Sequence, residues 1–325
     1  MLDWTDRHCR FFLRQLSQHT VLYTEMVTTG AIIYGKGDYL GFNEQEHPVV
    51  LQLGGSNVED MAKCASIAQA KGYDEININV GCPSDRVKNG SFGACLMAAP
   101  DVVAQCLRAM RKEVDIPVTV KCRIGIDDMD DDKGLSDFIL PNAEAGCEHF
   151  IVHARKAWLQ GLSPKQNRDI PPLNYERVYG LKQDNPNLLI SINGGITSLD
   201  QAKEHLKHVD GVMMGREVYA NPYILSEVDS AIYEIPAVAV SREHVIHKMH
   251  EYVAQEYAKG ARVWHIARHM LGLFQSQAGG KIWRRYLSQN GTGGTNNPNL
   301  LLEAFEEVQI AQKKAREHTA KNAIQ

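Results

Sequence analysis

The alternation of short β-branched segments with longer amphipathic ones between residues 21 and 222 constrains the fold more than any other feature of this sequence. The segments between the predicted strands show helical periodicity, as in Val58–Lys71, where Ser56 is a candidate start signal and Gly72 a stop signal. Repeated strand–helix units predict a parallel sheet. Seven segments are typical of strands: Val21–Met26, Pro48–Leu53, Glu75–Val80, Pro117–Cys122, His149–His153, Leu188–Asn193 and Asp210–Met214.

The beginning of the sequence bears on the number of strands. Met1-Leu2-Asp3-Trp4-Thr5-Asp6 leads directly into a helical segment around Arg10–Leu16, so we interpret Met1 as the carboxyl end of a further strand whose beginning is missing. Eight strands with helices between them close into a barrel, and the predicted fold class is therefore α/β, a (β/α)8 TIM barrel. An open doubly wound sheet is the alternative, but it usually carries a GxGxxG motif after its first strand, and none follows here.

The alternation stops after Pro222, and only helical periodicity follows. We therefore expect two domains, a barrel over residues 1–230 and an all-helical C-terminal domain over residues 240–325. The helical segments of the second domain are Arg242–Lys259, Val263–Phe274, Lys281–Gln289 and Leu300–Glu317.

Charge is distributed unevenly along the chain. The net charge is −4, but residues 240–325 hold 12 Lys/Arg and 7 Asp/Glu, a charge of +5, which leaves −9 on residues 1–239. A basic module on an acidic body suggests a polyanionic partner, although a chance imbalance on solvated helices explains the charge equally well. The sequence has no apolar run of the roughly 18 residues that a membrane helix needs, and no signal-peptide pattern at its beginning. We therefore expect a soluble, cytoplasmic protein that does not bind a membrane. Seven cysteines without a CxxC pair disfavour both a disulfide framework and a metal site.

Two glycine motifs predict a phosphate site. In a barrel the carboxyl ends of the strands surround the active site, and phosphate commonly binds in the loops after the last two strands. Asn193-Gly194-Gly195 and Gly215-Arg216 occupy these two positions. Backbone amides exposed at glycines and one guanidinium are suitable phosphate ligands. Each glycine motif alone is more often a tight turn.

Gln52, Lys121 and His153 are polar residues at three other strand ends. An amide, an ammonium and an imidazole at one barrel mouth suit a flavin ring, because lysine can stabilise negative charge on the reduced ring and glutamine can pair with its pyrimidine edge. The structural alternatives are a salt bridge inside the barrel for Lys121 and a hydrogen-bonded core histidine for His153.

Cys82 is the candidate for a working thiol. It lies in Gly81-Cys82-Pro83 after a strand, and proline cannot continue a β-ladder, so the cysteine is expected at the barrel mouth. A thiol with a pKa of about 8.5 is mostly protonated at neutral pH and can protonate one carbon of a C=C bond while hydride reaches the other. The other six cysteines lie mostly in helical segments or inside strands, and simple packing is the favoured interpretation for them.

Taken together, these motifs resemble the tRNA-dihydrouridine synthases. The similarity runs in order through Met1–Asp6, Asn79–Pro83, Val120–Gly125, His153–Arg155, Asn193–Gly195 and Gly215–Arg216. The resemblance implies bound FMN, NADPH as electron donor, and hydride transfer to C6 of a uridine while Cys82 protonates C5. It also implies flavin contacts from Met1, Gln52, Lys121, His153, Asn193, Gly194, Gly195, Gly215 and Arg216.

His153–Leu159 and Ser163–Arg168 are similar to the bacterial A subfamily, whose members act on D-loop uridines at positions 20 and 20a of tRNA. A cluster of cations just after Gly279-Gly280 fits an RNA contact, although such a cluster alone is typical of a solvated helix face. No obligate protein partner is implied, and we expect a monomer. The subfamily resemblance implies tRNA contacts from Asn79, Lys165, Arg168, Lys281 and Arg284.

Two other functions stay open at this point. Another flavin barrel, such as a dihydroorotate dehydrogenase or an ene reductase of small molecules, would share the phosphate site and Lys121 but gives no role to a basic helical domain. An RNA-binding protein without turnover would use that domain but not Cys82. A yellow colour and dihydrouridine formation on unmodified tRNA distinguish the three functions.

Overall fold

The structure of the chain is a computed structural model in which residues 1–84, 90–130, 133–236, 239–293 and 296–322 are described, with side chains up to residue 317. The chain forms two compact units. The first consists of Met1–Leu2 and Val21–Met214, and the second of Asp3–Thr20 and Gly215–Gln325. Among the described residues, no helix is both long and apolar enough to cross a membrane.

The first unit is built on a parallel sheet whose strand order follows the chain. Each predicted strand is present with bounds that differ by no more than two residues, and each pairs in parallel with the next. The predicted α/β barrel-type fold is thereby confirmed, while Met1 lies outside these strands. The strands are β1 (Leu22–Thr28), β2 (Val49–Gly54), β3 (Glu75–Val80), β4 (Val118–Arg123), β5 (His149–His153), β6 (Leu189–Asn193) and β7 (Gly211–Met213).

Helices alternate with the strands and then continue alone after β7. The helices of the described residues are α1 (Arg7–Arg14), α2 (Thr29–Tyr34), α3 (Val58–Lys71), α4 (Pro100–Glu113), α5 (Lys133–Glu144), α6 (Tyr175–Asp184), α7 (Leu199–Leu206), α8 (Arg216–Ala220), α9 (Val228–Ala231), α10 (Arg242–Ala258), α11 (Val263–Ala267), α12 (Gly280–Thr292) and α13 (Leu300–Asn322). The predicted C-terminal helices are confirmed, except that the segment predicted as one helix over Val263–Phe274 is helical only to Ala267 and continues as a 3-10 turn over Arg268–Met270.

Helix α3 shows how local chemistry sets the bounds of an element. The Asn57 side chain accepts a hydrogen bond from the Asp60 backbone amide at 2.9 Å and so begins the helix. Gly72 ends it with a φ of 98°, a left-handed conformation that glycine adopts at little cost. The predicted stop at Gly72 is confirmed. The predicted start at Ser56 is wrong by one residue, because the asparagine provides the capping oxygen.

Strand β2 is buried at all six of its residues. Leu51 and Leu53 are fully buried and alternate with Gln52, whose face of the sheet is polar. On that face Gln52 Nε2 donates to Asn77 Oδ1 at 3.0 Å, and Asn77 Nδ2 donates to Thr119 Oγ1 at 2.9 Å. Buried amides are tolerated here because each finds a partner on the neighbouring strand.

The second unit joins its N-terminal segment to the helices that follow residue 214. The Asp6 carboxylate accepts from Arg268 at 2.9 Å and from His269 at 3.1 Å. Further along, the Asp229 carboxylate accepts from Ser17 Oγ at 2.6 Å. These ion pairs and hydrogen bonds explain why the start of the chain belongs to the helical unit. The predicted functional division into residues 1–230 and 240–325 stays a prediction.

Candidate active site at the carboxyl ends of the strands

Cys82 lies two residues beyond the carboxyl end of β3 and is partly buried. The Asn79 side-chain oxygen accepts hydrogen bonds from the backbone amides of Gly81 at 3.1 Å and Cys82 at 3.0 Å. The Cys82 carbonyl accepts from the Ala94 amide at 2.9 Å, and its sulfur lies 3.4 Å from Ser84 Oγ. The thiol therefore sits on a fixed backbone at the carboxyl edge of the sheet. Its role as proton donor stays a prediction.

Asn79 and Gln52 form one hydrogen-bonded unit. Asn79 Nδ2 donates to Gln52 Oε1 at 2.8 Å, while Gln52 Nε2 donates to Asn77 Oδ1. Gln52, the predicted flavin contact on β2, is thus hydrogen-bonded to Asn79, the predicted RNA contact on β3. Asn79 has a structural role that the sequence did not indicate, because it connects this network to the backbone of Cys82.

Lys121 and Asn193 are brought together across the same edge. Lys121 Nζ donates to Asn193 Oδ1 at 3.1 Å, and Asn193 Nδ2 donates to the Met213 carbonyl at 2.8 Å. Burial lowers the pKa of the Lys121 ammonium to about 8, and the positive charge of Arg123 acts in the same direction. At pH 7 the ammonium is still protonated, so a partly buried positive charge lies at the ends of β4 and β6.

The turn after β6 requires its two glycines. Gly194 has a φ of 123°, and a Cβ there would lie 2.6 Å from Cδ2 of His153. Gly195 has a φ of 71°, and a Cβ there would lie 2.7 Å from a methyl carbon of Leu173. Tyr175, which the sequence analysis did not single out, donates to the Gly194 carbonyl at 2.7 Å. The main chain therefore packs directly against buried His153, and exposed Gly195 presents backbone without a side chain.

Arg123 is a site residue that the sequence analysis did not identify. It is 4% exposed, and burial lowers its pKa to about 10. Its Nε donates to the Gly81 carbonyl at 3.0 Å, and one terminal nitrogen donates to the carbonyls of Lys156 at 3.0 Å and Asn167 at 2.9 Å. Strand periodicity was the available signal, because Arg123 lies two residues after Lys121 and hence on the same face.

Lys165 and Arg168 lie in the segment after β5, at the same edge of the sheet. Arg168 ends a 3-10 turn over Gln166–Arg168, Lys165 directly precedes that turn, and both residues are exposed. Asn167 between them is fully buried. Lys165 and Arg168, the predicted RNA contacts, thus lie on either side of a buried asparagine, and both are accessible to a polyanion.

Two predicted sites lie in the second unit. Gly215 precedes α8 and Arg216 is its exposed first residue. Lys281 is exposed and Arg284 partly buried near the beginning of α12, where Arg284 donates to Gln275 Oε1 at 2.8 Å. Met1 belongs to the first unit and is 38% exposed. The roles predicted for these residues in flavin or RNA binding stay predictions.

The remaining cysteines differ from Cys82 in their surroundings. Five are buried, and Cys95 is partly buried with its thiol 3.1 Å from the Phe92 carbonyl. Burial raises the pKa of Cys64 and Cys106 to about 11 and that of Cys122 to about 12. Thiols of this kind pack as small apolar groups, which agrees with the sequence interpretation.

This edge of the sheet combines three chemical capacities. Cys82 can give up a proton, Lys121 can stabilise negative charge, and the Gly194-Gly195 turn can receive a phosphate group close to backbone amides. The three lie on β3, β4 and β6 and the turns that follow them. An acid beside a positive charge suits the addition of hydrogen to a polarised double bond.

Comparisons with known proteins show what this chain is similar to. A relative from Salmonella typhi is 62% identical over 307 residues, 94% of this chain and 92% of its own. Relatives from Vibrio cholerae serotype O1 and Escherichia coli strain K12 are 59% and 60% identical over 309 residues, 95% of this chain and 93% and 90% of theirs. Each of these relatives is named tRNA-dihydrouridine(20/20a) synthase.

A solved 2-naphthoyl-CoA reductase in complex with 2-naphthoyl-CoA shares the fold alone, with a TM-score of 0.50, 10% identity, and coverage of 70% of this chain and 47% of that one. The sequence profile described as dihydrouridine synthase matches residues 1–310, and therefore nearly the whole chain. Together with the relatives that are about 60% identical over almost their full length, this match shows that the chain belongs to the dihydrouridine synthase family of oxidoreductases.

Proposed function

We propose that the chain reduces the C5=C6 bond of D-loop uridines at positions 20 and 20a of tRNA to 5,6-dihydrouridine, with FMN as cofactor and NADPH as electron donor. The names of the relatives support the substrate, and the family supports the reaction. One observation carries the assignment of the acid. Cys82 stands at the carboxyl edge of β3 on a backbone that both Asn79 and Arg123 hold in place.

The residues of the site fit FMN on two counts. The Gly194-Gly195 turn adopts left-handed backbone angles, and its exposed Gly195 carries no side chain that would keep a phosphate away from the main chain. Lys121 carries a positive charge on β4 and donates to Asn193 at the end of β6, and the two side chains would together hold the electron-rich pyrimidine edge. Gln52 and His153 would complete the ring contacts. Met1, Gly215 and Arg216 would complete the cofactor site.

The proton and the hydride reach the uridine from different groups. Bound FMN would supply the hydride for C6, with NADPH as the source of its electrons. The Cys82 thiol donates its proton to C5, so the double bond gains one hydride and one proton and a thiolate is left. Solvent then returns a proton to the thiolate. Cys82 fits this role because it is partly exposed, whereas the five fully buried cysteines could not reach a base.

Access of the uridine requires that its base leave the tRNA stack. A base inside folded RNA cannot present C5 and C6 to a barrel mouth, so we propose an extruded uridine whose edge contacts Asn79. Lys165 and Arg168 on the barrel, and Lys281 and Arg284 in the helical domain over residues 240–325, would neutralise phosphates. Because tRNA is the substrate, we place the reaction in the cytoplasm. We expect a 36.3 kDa monomer, which size-exclusion chromatography with light scattering checks.

The decisive experiment separates the two half-reactions. Anaerobic bleaching of the flavin absorbance by NADPH measures the first, and dihydrouridine formed on unmodified tRNA in a single turnover measures the second. We expect Cys82→Ala to leave the first rate unchanged and to lower the second by about two orders of magnitude, the usual contribution of a general acid.

Cys95→Ala is the matched control, because Cys95 is also partly buried and unpaired with another cysteine. It is expected to retain both rates. Undiminished product from Cys82→Ala would remove the thiol from its proposed role. Reduction of small enoates without action on tRNA would favour a small-molecule reductase, and tRNA binding without turnover would contradict the enzyme assignment.

A further inference from the structure

The segment that carries Lys165 and Arg168 is folded around one buried side chain, Asn167. Asn167 Oδ1 accepts from the Trp158 amide at 2.7 Å. Its Nδ2 lies 2.9 Å from the Trp158 carbonyl, 3.1 Å from the Leu162 carbonyl and 3.4 Å from the Ser163 carbonyl. The Asn167 amide thus connects Trp158 at one end of residues 158–168 with Leu162 and Ser163 in their middle, and we call this segment the Asn167 loop. Ser163 and Gln166 add bonds to each other's backbone within it.

The Asn167 loop is tied to the backbone beside Cys82 through Arg123. The Asn167 carbonyl accepts from the Arg123 guanidinium at 2.9 Å, and the same guanidinium donates to the Gly81 carbonyl at 3.0 Å. Arg123 is almost completely buried, so its bond to the Asn167 carbonyl is shielded from water and from salt, and its bond to the Gly81 carbonyl is partly shielded. The Arg123 side chain therefore connects the Asn167 loop to the turn that carries Cys82.

The base of the Asn167 loop is fixed by a second set of contacts. The Asp127 amide donates to the Ala157 carbonyl at 2.9 Å, and Asp127 Oδ1 accepts from the Leu159 amide at 2.8 Å. These two bonds restrict rigid-body movement of the Asn167 loop about its first residues. Its exposed end with Lys165 and Arg168 depends on the amide of Asn167 for its shape.

We propose that Asn167 is a positioning residue for polynucleotide binding. Its side chain shapes the loop that presents Lys165 and Arg168 to RNA phosphates. Through its carbonyl and Arg123, it also keeps the Gly81–Cys82 backbone in register with that loop. The inference rests on the proposed function and adds to it a residue that touches neither substrate nor cofactor, because Asn167 is fully buried.

Neither alanine nor aspartate can make all the hydrogen bonds that the Asn167 side chain makes. Alanine would remove the side-chain partner of the Trp158 amide and of the Trp158 and Leu162 carbonyls, while the Ser163 carbonyl would keep its bond from the Asn167 backbone amide. Unpaired buried groups favour rearrangement of the loop. Aspartate would keep the acceptor for the Trp158 amide but would place a carboxylate against the same carbonyls. Both Asn167→Ala and Asn167→Asp are therefore expected to disorder the presentation of Lys165 and Arg168.

The test compares these two variants with Asn142→Ala in the complete enzyme with its flavin. Asn142 is a suitable control, because it is also fully buried and donates to a backbone carbonyl, that of Phe138 at 2.6 Å, but lies in α5. We expect both Asn167 variants to raise the tRNA Kd and KM about tenfold and to slow single-turnover dihydrouridine formation about tenfold. Flavin bleaching by NADPH should stay within twofold of the unmodified enzyme. Asn142→Ala should leave tRNA affinity unchanged even where it lowers the melting temperature.

Several outcomes would decide against the inference. Unchanged tRNA affinity and turnover in Asn167→Ala would overturn it, as would a full recovery in Asn167→Asp, since the donor bonds would then be dispensable. Equal losses in Asn167→Ala and Asn142→Ala, or a parallel loss of NADPH reduction, would indicate general destabilisation instead. If the unmodified enzyme bound tRNA without turnover, the proposed function would fail while the affinity comparison would still decide the role of Asn167.

Discussion

Replacement of Lys121 by methionine is expected to stabilise the flavin-free protein at pH 7 while abolishing its retention of flavin. Methionine keeps most of the length of the side chain and removes the charge. The ammonium is held at a cost, because burial lowers its pKa from the ordinary 10.5 to about 8. At about 1.36 kcal/mol for each pKa unit, the charged form is disfavoured in the folded state by up to ~3 kcal/mol.

Two effects reduce this figure. Lys121 is only partly buried, so solvent screens part of the penalty. The substitution also removes the hydrogen bond to Asn193, which contributes about 1 kcal/mol. We therefore expect Lys121→Met to raise the free energy of unfolding at pH 7 by about 1–2 kcal/mol.

The pH dependence gives the sharper test. Below pH 8 the lysine is protonated in both the folded and the unfolded chain, and the full cost is present. Between about 8 and 10.5 the folded chain loses the proton while the unfolded chain keeps it, so the stability of the unmodified protein rises with pH relative to the variant. Above that range both forms are neutral, and the cost is gone.

Urea denaturation of both flavin-free proteins at pH 7 and pH 9.5 measures the effect, with Lys112→Met as a control at an exposed lysine. The advantage of Lys121→Met should shrink at pH 9.5, and Lys112→Met should differ from the unmodified protein by less than about 0.5 kcal/mol at both values. A more stable unmodified protein at pH 7, or a difference that does not change with pH, would refute the reasoning.

Three further predictions concern other parts of the site and the second unit. Gly194→Ala should release the flavin, as measured by the absorbance of the purified protein, and should cost about 2 kcal/mol, since its Cβ would meet His153 at 2.6 Å in a left-handed backbone. Asp6→Asn should lower the melting temperature at pH 7, because hydrogen bonds and charges from its partners outweigh burial and hold the Asp6 pKa well below its usual range. The deficit should fade as the pH drops below about 4, because the unfolded chain then takes up a proton at Asp6 while the native carboxylate stays ionised. Lys165→Ala and Arg168→Ala should each reduce the slope of log affinity for tRNA against log salt by about 1, and equal slopes would remove them from the phosphate contacts.

The carboxyl ends of the strands could be predicted well from the sequence. Strands buried in a parallel sheet are apolar over their length, so an isolated lysine or glutamine such as Lys121 or Gln52 is conspicuous there. Because parallel strands end at one edge, the position of each polar residue along the chain was enough to group them. The hydrogen bond between Lys121 and Asn193 agrees with that grouping.

The partners within the site could not be predicted in the same way. An amide can donate or accept, and nothing in the sequence indicates that Asn79 binds both Gln52 and the backbone of Cys82. The helix start at Asn57 rather than Ser56 has a similar origin, since both residue types are good caps and only the backbone angles decide between them. The ion pairs of Asp6 span more than 260 residues of sequence, a separation over which no local pattern carries information.

The sharing of partners within the site has a consequence for how substitutions should be interpreted. Asn79 holds the Cys82 backbone from one side and Arg123 holds the neighbouring Gly81 carbonyl from the other. A change in either residue displaces the thiol even if the changed side chain never contacts uridine, so loss of activity alone does not identify a substrate ligand. The double-mutant combination of Asn79→Ala with Cys82→Ala separates the two roles. If Asn79 acts only through the thiol, its removal costs nothing further in the rate of dihydrouridine formation once Cys82 is absent, whereas direct contact with the base predicts an additional loss in tRNA affinity.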